Sequence, residues 1–156
     1  MDRNRDVAQG LSRIENKVSS FKTVRVTPTN AVRNNGGASL LKSITVIDYD
    51  DNSNMALDLY FFQLGTNDLG TAGNVIDITD AELLANKALG VIQMSAVANG
   101  AVGDAILSRI YTKTGIDLAV QAEDTSKSIF VAAVCQASMV STTSGTELIF
   151  GFEQVG

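Results

Sequence analysis

The chain has no histidine and no tryptophan, and only one cysteine and one proline among its 156 residues. Without histidine, Ser-His and Cys-His nucleophilic schemes are excluded, along with the commonest general base and metal ligand. A two-carboxylate glycosidase needs no histidine, but its sugar-binding cleft is ordinarily lined with aromatic side chains, and tryptophan is missing. No enzyme and no cofactor are therefore expected. The lone Cys135 cannot form an intrachain disulfide, and it ends the apolar run Ile129-Phe130-Val131-Ala132-Ala133-Val134. There a thiol behaves as a small hydrophobe, so Cys135 is expected in the core.

Positive charge is also scarce. Twelve Lys and Arg face seventeen Asp and Glu, for a net charge of −5. Binding to a phosphate backbone depends on clustered cations that release counterions, so nucleic acid is not an expected partner. The basic residues near the start, Arg3, Arg5, Arg13, Lys17, Lys22 and Arg25, are interrupted by Asp2, Asp6 and Glu15 and read as a solvated surface. No apolar run approaches membrane-spanning length, and the first residues lack the pattern of a secretory leader, so no membrane partner is expected and synthesis in the cytoplasm is.

What is present suits one globular domain: 45% of residues are hydrophobic and 19% charged, in a chain long enough to bury a core without staples. Residues 6–19 stand apart. Val7, Leu11, Ile14 and Val18 recur at helical spacing, Asp6 can cap the start, and Gly10 weakens the run. A short amphipathic helix is expected there. Its narrow apolar stripe either packs on its own domain or forms an arm over residues 1–20 that docks on a neighbour, and the arm is favoured.

From Phe21 onward alternation replaces the helical period. Val24 and Val26 mark a strand ended by Pro28, and the turn signal Asn34-Asn35-Gly36-Gly37 leads into a strand from Leu40 to Ile47. The polar stretch from Asp48 to Asn54 separates it from Ala56–Phe62, and the two strands are expected to form a hairpin or lie side by side. Thr79-Asp80-Ala81-Glu82 is a capping box opening a short helix that stops at Gly90. Later strands are expected at 91–94, 105–111, 116–121, 128–137 and 147–152, with hairpin or corner turns at Thr114-Gly115 and Ser144-Gly145. Seven or eight mostly antiparallel strands with one or two short helices define an all-β sandwich over residues 21–156.

Two constellations invite a chemical reading. The oxygens of Asp48-Tyr49-Asp50-Asp51-Asn52-Ser53-Asn54 are spaced like the start of a calcium loop, but the sixth position is Ser53 rather than Gly and the twelfth is Leu59 rather than Glu. An Asx-rich turn without metal is the reading this supports. In Tyr60-Phe61-Phe62, three consecutive aromatics on a strand cannot all face one side. Tyr60 and Phe62 are thus candidate interface residues, together with Val7, Leu11, Ile14 and Val18. The pair Gly36-Gly37 has no following Lys-Ser/Thr and reads as a turn, not a phosphate cradle.

Several stretches resemble a family of small proteins encoded in tailed-phage and prophage genomes near virion structural genes. They are Thr29-Asn30-Ala31-Val32-Arg33 with Gly36-Gly37, Lys42 to Asp48, Leu57 to Phe62, Ile78 to Leu83, and Leu89-Gly90-Val91-Ile92, together spanning about residues 25–94. The resemblance implies a jelly-roll-like β-sandwich acting as a virion component, such as a capsid decoration or cement protein or a small tail-associated subunit. Its partners would be the major capsid protein or another virion subunit, and copies of itself. The apolar surplus and the usual symmetry of virion accessory proteins favour a homotrimer. The alternative is an adhesin or carbohydrate-binding module of a tail.

Overall fold

The computed structural model describes residues 12–14, 23–49, 55–65, 78–95, 103–105, 108–136 and 146–154. Ten strands and one helix follow in the order β1 (Ser12–Ile14), β2 (Thr23–Val26), β3 (Ala38–Asp48), β4 (Ala56–Phe62), α1 (Asp80–Ala85), β5 (Ala88–Ser95), β6 (Gly103–Ala105), β7 (Ser108–Lys113), β8 (Leu118–Gln121), β9 (Phe130–Cys135) and β10 (Thr146–Gln154). They form a six-stranded sheet in the order β1-β10-β3-β7-β6, with β8 also on β3, and a four-stranded sheet in the order β2-β9-β4-β5. All pairings are antiparallel.

The pairing is nested. β1 pairs with β10, β2 with β9, β3 with β7 and β8, and β4 with β5, as if one long hairpin had been rolled up into two facing sheets. Further ladders join β10 to β3 and β9 to β4. This is the double Greek key of a jelly roll.

The inward faces follow from alternation. Leu41, Ile44 and Val46 of β3 and Leu148, Phe150 and Phe152 of β10 meet Leu57, Leu59 and Phe61 of β4 and Val131, Ala133 and Cys135 of β9 in one buried cluster. Phe61 meets Phe150 edge-on across the sandwich, with ring centroids 5.9 Å apart, and Phe150 stacks near Phe152 at 6.4 Å.

Four expectations change. β3 and β4 are not hairpin partners but belong to opposite sheets, because their apolar faces are more fully buried facing each other across the core than side by side. Helix α1 ends at the cap Asn86, followed by Lys87 at φ 51, whereas Gly90 lies inside β5. Of the hairpin or corner turn expected at Thr114-Gly115, the hairpin does not form. β7 and β8 lie end to end along the same edge of β3, joined by a detour in which the Ile116 N–H donates to the Lys42 carbonyl at 3.3 Å.

Finally, Ser12–Ile14 is a strand paired with Thr146–Leu148, not a turn of helix. A helix of that length is marginal without a covering surface, and the β10 edge offers main-chain partners instead. Val7, Leu11 and Val18 lie outside the described residues, as do Ser144-Gly145 and most of the Asp48–Asn54 turn.

Candidate assembly surface

The outward face of the four-stranded sheet carries the aromatic pair singled out in the sequence. In β4 the alternation that sends Leu57, Leu59 and Phe61 inward sends Asp58, Tyr60 and Phe62 outward. Their register neighbours are Gln93, Val91 and Ala88 of β5 on one side and Val134, Ala132 and Phe130 of β9 on the other. A register shift between Phe61 and Phe62 marks a bulge opposite β5.

Phe62 is fully buried on this outer face. It clusters with Ala132, Tyr60, Ile78, Leu83 and Phe130, so the segment leading into α1 and the helix itself cover it from within the same chain. Ile14, Tyr60 and Phe62 are therefore not brought together as one exposed patch: Ile14 belongs to the other sheet, Tyr60 is half-buried and Phe62 is enclosed. The signal for this was available, since Ile78 and Leu83 flank the capping box, but their destination depends on tertiary packing.

The helix is held by its cap. The Thr79 hydroxyl accepts from the Glu82 N–H at 3.3 Å, and the Glu82 carboxylate accepts from the Thr79 N–H at 2.7 Å and from its hydroxyl at 2.9 Å. These bonds to the charged form hold the Glu82 carboxyl below its ordinary pKa. The neighbouring polar row is also satisfied. Asp58 accepts from Gln93 at 3.1 Å and from Gln136 at 2.7 Å, one on each carboxylate oxygen.

On the opposite side of the molecule, the outer face of the six-stranded sheet is built from small and β-branched residues. The Thr45 and Thr112 hydroxyls are 3.1 Å apart, Ile47 pairs with Ile110, and Ile149 lies opposite Thr45. Charges there are matched. Lys42 binds Asp117 and lies 3.8 Å from Glu153, which raises its pKa chiefly through the hydrogen bond to Asp117, and Tyr49 donates to Glu147 at 3.2 Å.

Asp48 is fully buried at the end of β3, where the register sets it between Arg109 and Thr146. Burial takes it out of any solvent-facing ligand set at the calcium-like stretch. Among the described residues no group of three or more Cys, Asp or Glu side chains is placed to hold a metal ion. No helix among them is long and apolar enough to cross a membrane.

Among the described residues the exposed large apolar side chains are Leu84 at 81%, Val91 at 53% and Ile110 at 39%. Leu84 and Val91 flank the turn from α1 into β5, and neither stood out in the sequence because neither breaks a local pattern.

Fold and surface define a jelly-roll sandwich whose distinctive features lie on its faces and edges. No protein-family model and no curated protein matches the chain. Among solved structures it is similar to the K3 cleaved adhesin domain of Lys-gingipain from Porphyromonas gingivalis, with 17% identity over 94% of this chain and 71% of that one and a TM-score of 0.37. It is also similar to a structure of infectious bursal disease virus, Gx strain, with 12% identity over 95% of this chain and 28% of that one and a TM-score of 0.32. Neither superposition is close enough to carry an inference about function.

Proposed function

We propose that this chain is a structural virion subunit of a tailed phage, a capsid decoration or cement protein that binds the head surface and associates with copies of itself. The observation that carries the reading is the nested β1-β10, β2-β9, β3-β7/β8, β4-β5 pairing. It belongs to a fold repeatedly used in capsid and lectin domains. A fold alone does not assign a role. The choice of virion component over lectin draws on the resemblance of residues 25–94 to the phage family, and on the enclosure of Phe62 by its own chain beside a half-buried Tyr60, which removes the pair as an open platform for a sugar.

Quantitative gel or mass-spectrometric analysis of purified particles tests the reading. A decoration protein will be present at a copy number comparable to that of the major capsid protein and will stay with heads separated from tails. Absence from particles, or a few copies that follow the tail, would overturn it, and the second result would favour the adhesin alternative.

A further inference from the structure

The margin of a sheet is a row of unpaired main-chain groups, and natural sandwiches blunt it with short strands, charge, proline or bulges. Among the described residues the two sheets have five margins, β1, β6 and β8 on the larger and β2 and β5 on the smaller. Four are short: β1 and β6 have 3 residues each and β2 and β8 have 4, and the sequences of β1, β6 and β2 contain Arg13, Asp104 and Arg25 respectively. β5 differs. It runs for 8 residues, ALGVIQMS, with no charge and no proline, and Met94 is its only buried residue.

One hydrogen bond fixes which β5 groups face outward. The Gln136 N–H donates to the Ala56 carbonyl at 2.9 Å, so Ala56 directs its main chain toward β9. By alternation Leu57 and Leu59 direct theirs toward β5, where Met94 and Ile92 receive them. The N–H and C=O of Val91 and Gln93 therefore face the free margin. Lys113 confirms the direction by donating from its ammonium to the Gln93 carbonyl at 3.1 Å. Among the described residues none bonds the outward main-chain groups of Val91.

We propose that β5 is a homodimerisation edge, on which the β5 strands of two copies pair antiparallel about a two-fold axis near Val91 and join their four-stranded sheets into one. The inference rests on, and specifies, the self-association in the proposed function. Charge selects the occupant. Each copy carries a net charge of −5, and β5 contributes no charged side chain of its own, so two copies meet there with no carboxylates opposed and only the Lys113 ammonium at the margin to displace. An uncharged strand paired with itself opposes no like charges in any register. A two-fold contact uses the same patch on both partners and closes. Val91 itself is 53% exposed, so pairing there buries apolar area. The pairing consumes the edge and the far margin, β2, is blunted, so the unit is a dimer rather than the trimer expected from virion symmetry. Lys113 must release the Gln93 carbonyl as the partner strand arrives.

Sedimentation velocity on the full chain, from low micromolar to near-millimolar concentration, tests this with two variants. Val91→Pro removes an N–H that faces water, and Val91→Lys adds charge at an exposed position, so both retain the fold, checked by an unchanged melting temperature. The wild type will show a concentration-dependent dimer, which each variant weakens by at least about tenfold. Val91→Cys will form an interchain disulfide under mild oxidation, because residues facing each other in a hydrogen-bonded pair have Cα atoms roughly 5.5 Å apart. A wild type that stays monomeric throughout, a trimer, or a dimer indifferent to both substitutions overturns the proposal. A Val91-dependent dimer absent from particles would defeat the virion reading and leave the edge intact, whereas a monomeric chain found on heads would do the reverse.

Discussion

The buried ring of Phe62 lies outside the main core, beneath Ile78 and Leu83, so truncating it leaves a cavity that only α1 and its lead-in can fill. Phe62→Ala is expected to cost about 3 kcal/mol in urea unfolding, close to the range for a core phenylalanine. A cost below roughly 0.5 kcal/mol, the size of an ordinary surface substitution, would show that the ring is not enclosed. Two glycines offer a cleaner comparison. Gly36 and Gly115 both adopt positive φ, at 69° and 70°, but a Cβ at Gly36 would sit 3.1 Å from the Asp124 backbone while one at Gly115 meets nothing within 4 Å. Gly115→Ala should therefore lose only the backbone term, about 1 kcal/mol. Gly36→Ala should lose more, and equal losses in parallel denaturation curves would refute the steric contribution.

At the scale of elements, the capping box gives α1 a pH dependence of known sign. The folded-state pKa of Glu82 is depressed, so its contribution is fully present above the ordinary glutamate range and is lost as pH falls through the lowered value. In an NMR titration the Glu82 carboxyl should titrate below an ordinary glutamate, and Thr79→Ala should return it toward the ordinary value. An unshifted midpoint in the parent chain would mean that the box does not form in solution. This helix was legible from four consecutive residues because a cap is local chemistry.

Strands β3 and β4 were legible for the same reason, their apolar alternation marking both their extent and their buried face. What alternation does not carry is the identity of the partner. It leaves Ile44 and Leu57 equally content in one sheet or in two, and the hairpin reading failed there. Residues 12–14 were misread because three residues are too few to show a period of two, while Leu11 and Ile14 happen to fit a helical spacing. The β5 margin escaped notice because β5 becomes a margin only once the order of strands is known.

For the molecule as a whole, stability should not depend on a cation. The calcium-like stretch begins at Asp48, which is buried in the sheet rather than presented to a ligand. Melting with and without EDTA should agree, and a fall of more than about 5 °C, which for a domain of this size is on the order of 1 kcal/mol or more, would reveal a bound ion.

The place of β10 has a consequence for synthesis. It is the last strand of the series to leave the ribosome, yet it sits between β1 and β3 near the middle of the larger sheet and supplies Leu148, Phe150 and Phe152 to the core. Until residues 146–154 emerge, β3 has a vacant side and Phe61 lacks the ring it packs against. A nascent chain therefore has no complete smaller version of itself in which to rest, and a message cut short before Thr146 yields a product with exposed core, fit for proteolysis.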